Sequence, residues 1–384
     1  MSLDTNIKIG MASAYFATMK GGGEHYTLNL SNKLADLGYD ITIICGRQPF
    51  TKPDPLSTRF KIEYVPQLYF LRDWGTKMFP PISYSSSFIH YYQYMISCYN
   101  FLLKKHNFNI IHTHDPSSLW AAIKIKKKFG IPVVSTFHGY PSSKHIKEVK
   151  NIDLILPVSN EIKCFFEKNL ITNIHEIPGG VDLSLFKPLN KKKCKKELAM
   201  DGIIILFIGR LIPIKNLPNL LCAFKQIQSI LKDSKLLIIG DGPLKKYLMD
   251  LSEKLSISKN VIFRGSVSYK KLPIYYNAAD VFILPSLFES FPLVALEAIA
   301  CGVPIAISKG AGAFIEDFGP GHVFVFDPSD IRQITDVLIH IFTNEKESKG
   351  KVQTSLIKIQ SYDWAKRAQK VSDIYQEYIL RSIR

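Results

Sequence analysis

The chain has 384 residues, of which 46% are hydrophobic and 21% are charged. This length exceeds what one hydrophobic core usually organises, so we expect two globular domains. The formal net charge of +16 predicts an anionic partner, such as a phosphorylated substrate, an anionic membrane surface or nucleic acid. Because no helix-turn-helix, zinc-finger or aromatic RNA-binding pattern is present, we rank the membrane surface above nucleic acid and expect no nucleic-acid partner.

The N-terminal sequence and the cysteines bear on location. No basic segment followed by an apolar one opens the sequence, and no window approaches the ~20 apolar residues that span a bilayer. The six cysteines have no C-x-x-C spacing, which argues against a disulfide framework and a zinc ribbon. We therefore expect a cytoplasmic protein, with peripheral attachment to the cytoplasmic face of a membrane as an open alternative.

Alternating strands and helices begin at residue 7. A strand at 7–11 leads to a glycine-rich loop at 21–23, a helix follows at 25–37, and the next strand is expected at 41–45. Further strands are predicted at 60–65, 110–112, 133–137, 154–158 and 174–177. Strands that alternate with helices predict a parallel sheet with both faces covered.

The segment 79–108 is rich in aromatic residues and ends in basic ones. It contains Tyr84, Phe88, Tyr91, Tyr92, Tyr94, Tyr99 and Phe101, followed by Lys104 and Lys105. Such a helix can lie in a membrane interface, with its rings at headgroup depth. It can equally pack in the core of the first domain or line its cleft, and the sequence leaves both alternatives open.

A second series of strands and helices begins at residue 203, after a lysine-rich stretch at 187–196. Its strands are predicted to start at 203 and to lie at 236–239, 261–264, 281–284, 305–307 and 323–326. Helical segments again alternate with these strands. The chain is therefore expected to contain two similar α/β halves, with a boundary between residues 186 and 200.

Two glutamates follow the strand predicted at 281–284. Glu289 lies in the loop after this strand, and Glu297 lies about one turn inside the helix predicted at 292–300. Ligands of open α/β sheets bind outside the carboxyl ends of the strands, so we expect both carboxylates to face one crevice. A lone glutamate near a helix N-terminus is common because it favours the helix dipole, but the strand, loop and helix around this pair favour a ligand site.

Cationic groups and glycines at other strand ends suit an anion. Arg210 and Lys215 follow the strand that starts at 203, and both can reach one diphosphate, the arginine as a planar fork and the lysine as a point charge. Gly22 and Gly23 offer backbone N–H groups ahead of a helix, which also suits phosphate. Together they predict an anion site between the two halves.

Histidines follow two strands of the first half. His112 and His114 are two residues apart and would share one face of a strand, and His138 follows the strand at 133–137. We interpret His114 as a polar group at the crevice and His112 as a structural histidine. A metal site is the open alternative, and it would need more ligands than this pair.

These motifs occur in an order that resembles a known family. In chain order they are Gly-Gly-Glu at 22–24, His-Thr-His-Asp-Pro at 112–116, Thr-Phe-His-Gly at 136–139, Pro-Gly-Gly-Val-Asp at 178–182, Gly-Arg-Leu at 209–211 with Lys215, Gly-Asp-Gly-Pro at 240–243 and the glutamate pair. The ordered set resembles the retaining glycosyltransferases of family 4, with the GT-B fold, over nearly the full length. Asn216 stands where that family usually has glycine.

The resemblance implies an α/β fold of the GT-B class, with two Rossmann-like, doubly wound domains facing a cleft. Residues 1–187 would bind the acceptor and residues 188–364 the nucleotide sugar. A C-terminal helix at 365–384 would cross back and pack on the first domain.

The resemblance also implies roles for single residues of the second half. Arg210 and Lys215 would hold the donor diphosphate, Glu297 would hold the ribose hydroxyls, and Glu289 would lie near the transferred sugar. Further contacts to sugar or phosphate would come from the backbone of Phe291, Pro292 and Leu293.

In the first half, His114 matches the histidine that lies beside the acceptor and the sugar in relatives, and His138 joins the expected substrate-binding residues. Gly22 and Gly23 would approach the diphosphate when the domains close.

The expected function is retaining transfer of a hexosyl unit from a nucleotide-diphosphate sugar to a hydroxyl of a lipid-linked or glycan acceptor. Arg210 and Lys215 would stabilise the charge of the leaving nucleoside diphosphate, so no metal ion and no cofactor are expected. A nucleotide-sugar 2-epimerase and a non-catalytic nucleotide-sugar-binding subunit of a transferase complex are the alternatives.

Overall fold

The computed structural model describes residues 7–14, 16, 21–47, 59–67, 83–141 and 146–383. Its contacts divide the chain into two compact units, Met1–Pro178 with Trp364–Arg384, and Gly179–Asp363. This division lies ahead of the boundary predicted after residue 187, because the segment that follows Pro178 packs in the second unit. The Val181 N–H, for example, donates to the carbonyl of Tyr362 at 2.9 Å.

The first unit is built on a six-stranded parallel sheet in the order β3-β2-β1-β4-β5-β6. Its strands are β1 (Lys8–Ala12), β2 (Asp40–Arg47), β3 (Lys61–Pro66), β4 (Ile110–Thr113), β5 (Val133–Phe137) and β6 (Leu154–Pro157). All side chains of β4, β5 and β6 are buried. Continuous burial along a strand is typical of a parallel sheet that is covered on both faces.

The second unit repeats this architecture. Its parallel sheet has the order β12-β11-β10-β7-β8-β9. The strands are β7 (Ile203–Ile208), β8 (Ser234–Ile239), β9 (Val261–Gly265), β10 (Val281–Leu284), β11 (Ile305–Ser308) and β12 (Phe324–Phe326). The two sheets therefore have the same connectivity and belong to the Rossmann-like, doubly wound type.

Helices cover both sheets. In the first unit they are α1 (Gly22–Asp36), α2 (Ser83–Lys104), α3 (Pro116–Phe129), α4 (Ile146–Val149) and α5 (Asn160–Lys168). In the second unit they are α6 (Lys191–Glu197), α7 (Leu217–Ile230), α8 (Lys245–Lys254), α9 (Leu272–Ala278), α10 (Leu293–Ala300), α11 (Gly312–Phe318), α12 (Ile331–Thr343) and α13 (Glu345–Lys358). The last helix, α14 (Trp364–Ile383), belongs to the first unit and packs on α1.

The strand order reverses at one place in each sheet, between β1 and β4 and between β7 and β10. Ligands of doubly wound sheets bind at this switch point, outside the carboxyl ends of the strands. In the first unit His114 directly follows β4, and in the second unit Lys215 and Glu289 follow β7 and β10. The topology therefore places predicted site residues at the switch point of each unit.

One predicted strand is wrong. Residues 174–177 make a single isolated bridge, between Ile174 and Ile155 of β6, rather than a strand. The N–H groups of His175 and Ile177 donate to the carbonyls of Ile155 and Pro157 at 2.9 Å. Pro157 has no N–H with which to return a bond, so the ladder is interrupted.

Two helices begin at other residues than expected. Helix α1 begins at Gly22, so residues 22 and 23 form its first turn instead of a loop ahead of it. Helix α10 begins at Leu293, with Pro292 as the residue that precedes the first turn. In both cases the glycine or proline in the sequence indicates where the helix starts, but only to within one or two residues.

The aromatic segment forms α2, while its first four residues, 79–82, lie outside the described part of the chain. One face of α2 is in the core of the first unit, where Tyr94 and Leu102 are fully buried and the Tyr94 hydroxyl donates to the carbonyl of Ile44 at 2.8 Å. Tyr92 and Ile96 remain 56% and 47% exposed. No helix of the described residues is both long and apolar enough to cross a membrane.

Candidate active site

At the switch point of the second unit, a lysine and a glutamate form an ion pair. Lys215 ends a short 3-10 turn after β7, and its ammonium group pairs with Oε1 of Glu289, which lies in the loop after β10. The same oxygen accepts a hydrogen bond of 2.6 Å from the hydroxyl of Ser286. Only 17% of the lysine side chain and 13% of the glutamate side chain are exposed. Two contacts therefore fix this carboxylate, and the lysine is held beside it.

The backbone around this pair is tied to two neighbouring loops. The Leu287 N–H donates to the carbonyl of Ile214, and the Glu289 N–H donates to that of Gly310, both at 2.8 Å. A β-carbon on Gly310 would lie 2.4 Å from the Ser286 carbonyl oxygen and 2.5 Å from that of Leu287. Glycine is therefore required there, because only a residue without a side chain allows the loop to approach the glutamate loop so closely.

Asn216, the residue after the lysine, adopts a left-handed conformation with φ +53°. Asparagine tolerates this region better than most other residues with a side chain. Its side-chain amide donates to the carbonyl of Pro328 at 2.6 Å, and that of Asn219 donates to the same oxygen at 3.1 Å. The turn that carries Lys215 is thus held to the segment after β12.

Glu297 has a different environment from Glu289. It is 4% exposed in α10, and its Oε2 accepts a hydrogen bond of 2.7 Å from the hydroxyl of Tyr276. Burial raises the pKa of this carboxyl group to about 8, although the hydroxyls of Tyr276 and Tyr269 lower it in part. Among the described residues, none of the hydrogen bonds of Glu297 joins it to Glu289, so the two carboxylates predicted to face one crevice have separate partners.

Three histidines lie together at the switch point of the first unit. The rings of His112 and His114 are stacked with centroids 4.5 Å apart, and Nδ1 of His114 lies 3.4 Å from Nε2 of His138. Burial lowers the pKa of His112 to about 3 and that of His138 to about 4, and it holds the pKa of His114 well below its usual range. All three imidazoles are therefore neutral at pH 7.

The ring nitrogens of His112 and His114 differ in their partners. Both ring nitrogens of His112 are engaged, Nδ1 with the hydroxyl of Tyr375 at 2.6 Å and Nε2 with the hydroxyl of Thr136 at 2.8 Å. Nε2 of His114 is buried and has no hydrogen-bond partner among the residues that the structure describes. Buried polar atoms are normally satisfied, so this nitrogen is suited to a ligand atom.

A metal ion shared by His112 and His114 does not fit this arrangement, because a ligand nitrogen needs an unshared lone pair directed at the metal. Within the described residues, no group of three or more His, Cys, Asp or Glu side chains is placed to hold a metal ion.

Asp115 holds the loop next to His114 in place. One of its carboxylate oxygens accepts from the backbone N–H groups of Ser117 and Ser118 at 3.0 Å and caps α3, and the other accepts from the N–H of Ala14 at 2.9 Å. The loop after β1 and the loop after β4 are thereby tied together next to the histidine.

Comparison with known proteins decides the family. The model described as Glycosyltransferase Family 4 matches residues 20–185, and the model described as Glycosyl transferases group 1 matches residues 190–355. The chain belongs to the family 4 glycosyltransferases. It is 28% identical to UDP-Gal:alpha-D-GlcNAc-diphosphoundecaprenol alpha-1,3-galactosyltransferase of Escherichia coli, over 98% of this chain and 99% of that protein. It is 26% identical to the phosphatidylinositol N-acetylglucosaminyltransferase GPI3 subunit of Saccharomyces cerevisiae, over 96% of this chain and 82% of that one.

Solved structures of glycosyltransferases share the fold. Sucrose-phosphate synthase of Thermosynechococcus elongatus superposes with a TM-score of 0.82 at 19% identity, and covers 98% of this chain and 100% of its own. Anabaena HepE in complex with UDP superposes with a TM-score of 0.76 at 15% identity, and covers 97% and 100%. The prediction of a GT-B fold is confirmed.

The other residues predicted for the donor site of this glycosyltransferase differ in their exposure. Arg210 is exposed in the loop after β7. Phe291 is half-buried in the second unit, with its ring centroid 5.5 Å from that of Phe314. Leu293 is buried, and Pro292 has no N–H to offer, so a backbone donor in this segment can come only from its neighbours.

The two glycines and His138 are adjacent in the first unit. A β-carbon on Gly23 would lie 3.7 Å from Cδ2 of the His138 ring, whereas none of the described atoms would come within 4 Å of one on Gly22. The ring of Tyr26 packs edge-on against His138, with centroids 4.9 Å apart. The helix start therefore lies against the histidine group.

The partners of these residues carry little signal in the amino-acid sequence. Ser286 could have been noticed as a polar residue at the end of a strand, three positions before Glu289. Tyr276 and Tyr375 gave no local signal, because their partners lie 21 and 263 positions away in the chain.

Proposed function

We propose that this glycosyltransferase moves a hexosyl unit from a nucleotide-diphosphate sugar to a hydroxyl of a lipid-linked or glycan acceptor, with retention of anomeric configuration. The observation that carries this proposal is the Lys215–Glu289 pair at the switch point of the second unit. A lysine that is already held in place can stabilise the charge that develops on a leaving diphosphate, at little cost of reorganisation.

In this proposal the second unit binds the donor. Lys215, held beside Glu289, supplies one cation to the diphosphate, and exposed Arg210 supplies a second. The carboxylate of Glu289 accepts hydrogen bonds from sugar hydroxyls, while Ser286 keeps it in place. Glu297 accepts from ribose hydroxyls after exchanging its bond with Tyr276.

The first unit supplies the neutral groups beside the reacting hydroxyls. His114 is the central one, because its buried Nε2 has no partner within the described part of the chain and can bind a sugar or acceptor hydroxyl. The Escherichia coli relative is named for transfer to a diphosphoundecaprenol-linked sugar and the yeast relative for transfer to phosphatidylinositol. Both names support an acceptor that carries a lipid.

The cationic side chains of Lys215 and Arg210 also support transfer without a metal ion, because they provide the charge that a divalent cation would otherwise supply. The test is transfer by the purified protein from UDP-, GDP- and ADP-hexoses, with and without a chelator. The anomeric configuration of the product is read by NMR. We expect a retained configuration, unchanged rates with the chelator, and loss of transfer in Glu289→Ala. An inverted product or rescue only by metal would contradict these points, and epimer formation without an acceptor would favour an epimerase.

We also propose that the first unit binds an anionic membrane surface through α2 and α3. Exposed Tyr92 and Ile96 lie on α2, and exposed Lys124 and Lys128 lie on α3, which packs against it. Apolar rings beside cations suit an interface of anionic lipids. Flotation with anionic vesicles is expected to retain the wild-type protein and to lose Tyr92→Ser/Ile96→Ser. Equal flotation of both would overturn this surface.

A further inference from the structure

The unpartnered nitrogen of His114 is useful only if its ring is held in a fixed direction, since a group that binds a reacting hydroxyl must be placed within roughly 0.5 Å and 10–20°. The ring of His114 lies between two others. On one side is His112, with centroids 4.5 Å apart, and on the other is His138, with centroids 5.7 Å apart and planes inclined by 23°. Its direction therefore depends on what fixes these two neighbours.

Both neighbours are held by the C-terminal helix, α14. Tyr375 of this helix shares a hydrogen bond of 2.6 Å with Nδ1 of His112. Trp364, the first residue of the helix, packs edge-on against Tyr26 at 4.9 Å, and Tyr26 in turn packs edge-on against His138 at the same centroid distance. Helix α14 thus supports the neighbours on both sides of His114. Tyr375 of this helix lies 263 positions from His112 in the chain.

The ring of His112 is hydrogen-bonded through both of its nitrogens. Nδ1 shares the bond with the Tyr375 hydroxyl, and Nε2 shares a hydrogen bond of 2.8 Å with the hydroxyl of Thr136. Both bonds are buried, so water does not compete with them.

A neutral imidazole has one N–H. One ring nitrogen of His112 therefore donates and the other accepts, and the hydroxyls of Tyr375 and Thr136 are their partners. The orientation of His112 is thus fixed from both ends, by Tyr375 on one side and by Thr136 on the other.

We propose that Tyr375 is a positioning residue of this enzyme, which holds His112 in one orientation and thereby aims Nε2 of the stacked His114 at the reacting hydroxyl. This inference rests on the proposed role of His114. The C-terminal helix then contributes to turnover as well as to packing of the first unit.

The chain offers a matched control. The hydroxyl of Tyr39 shares a buried hydrogen bond of 2.7 Å with Oγ of Ser372, one turn before Tyr375 on the same helix. Tyr39→Phe and Tyr375→Phe each remove one buried hydroxyl bond that involves α14 and keep the ring. Similar losses of stability are therefore expected from both variants. Only the second bond reaches a histidine, so only Tyr375→Phe is expected to affect turnover.

The experiment compares donor-to-acceptor transfer by the two variants and by His114→Ala. Tyr375→Phe is expected to lower kcat about tenfold and leave the KM for the donor within about twofold, because a misaimed group affects the chemical step more than donor binding. Tyr39→Phe is expected to keep the wild-type kcat. In ¹⁵N-histidine spectra, the resonances of His112 and His114 are expected to shift in Tyr375→Phe and to stay in place in Tyr39→Phe.

The outcomes separate the two claims. If Tyr375→Phe and Tyr39→Phe have the same kcat and the histidine resonances do not move, Tyr375 is only a packing residue and the inference is overturned. If His114→Ala retains wild-type turnover, the role proposed for His114 itself is wrong, whatever Tyr375 does. A strong loss in His114→Ala with a normal Tyr375→Phe would contradict the positioning role alone.

Discussion

The two switch points have the same topology but opposite electrostatics. In the second unit the residues there are charged, and Lys215 and Glu289 form a partly exposed ion pair. In the first unit the corresponding group consists of three imidazoles, two of them buried and that of His138 half-buried, whose pKa values are lowered by desolvation so that they stay neutral. The loops of the second unit thus carry charged groups at the switch point, and those of the first unit carry neutral hydrogen-bonding groups.

This difference suits two kinds of ligand atom. A diphosphate carries charge that cations must balance, whereas a hydroxyl needs a donor or an acceptor and gains little from a net charge. The strand order alone does not distinguish the units, because it is the same in both. What differs is how deeply each loop buries its polar side chains.

Removing the cation should have the largest effect. Lys215→Ala is expected to lower kcat about a hundredfold or more, because the developing charge of the leaving group loses a preorganised cation. The measurement is steady-state transfer with saturating donor. Lys349→Ala is the control, since it removes a lysine from an exposed ion pair, with Glu345 at 2.7 Å, on α13 of the same unit. Equal turnover in the two variants would show that the charge of the switch point is not used.

The pH dependence of stability should have opposite signs in the two units. Unfolded histidines bind protons below about pH 6.5, whereas folded His112 and His138 do so only near pH 3 and 4. The unfolded state therefore binds more protons, and the stability of the first unit falls as the pH drops below 6.5. Folded Glu297 stays protonated up to about pH 8, so the stability of the second unit falls as the pH rises from 4.5 to 8, by about 1.4 kcal/mol per pH unit at most.

Hydrogen exchange resolves the two units. After correction for intrinsic rates, the amides of the first unit should be less protected at pH 5 than at pH 7, and those of the second unit less protected at pH 8 than at pH 6. Glu297→Gln should flatten the second dependence, while Glu345→Gln, on the exposed face of α13, should not. Parallel slopes in both units would contradict the contrast.

The smallest effect is expected at the turn that carries Lys215. Asn216→Ala should destabilise the protein by about 1–2 kcal/mol, because alanine tolerates a left-handed backbone poorly and the bond to Pro328 is lost. Asn216→Gly should cost about 0.5–1 kcal/mol, since only that bond is lost. Asn219→Ala, which removes a bond to the same oxygen, should resemble the glycine variant. Urea denaturation measures all three, and an alanine variant as stable as the glycine variant would show that the conformation is not strained.

The sequence predicted the elements well wherever the pattern was local. All twelve strands of the described residues were placed, because runs of apolar residues and glycine or proline stops reflect burial and backbone preference within a few residues. They include β3, although it is the most exposed strand of its sheet. The failure at 174–177 came from a missing N–H at Pro157, which acts only once the two segments lie side by side.

The amino-acid sequence by itself determined which side chains follow the carboxyl ends of the strands, and so which residues could form a site: His114 after β4, Lys215 after β7 and Glu289 after β10. It did so because a strand and the loop after it are continuous in the chain. Only the tertiary structure decided how these side chains are paired. Lys215 and Glu289 are 74 positions apart and His112 and Tyr375 are 263 positions apart, and no local pattern of residues specifies contacts over such separations. Tertiary contacts also explain why the two glutamates differ. Glu297 has a tyrosine partner and a raised pKa, whereas Glu289, eight residues earlier, is held by a lysine.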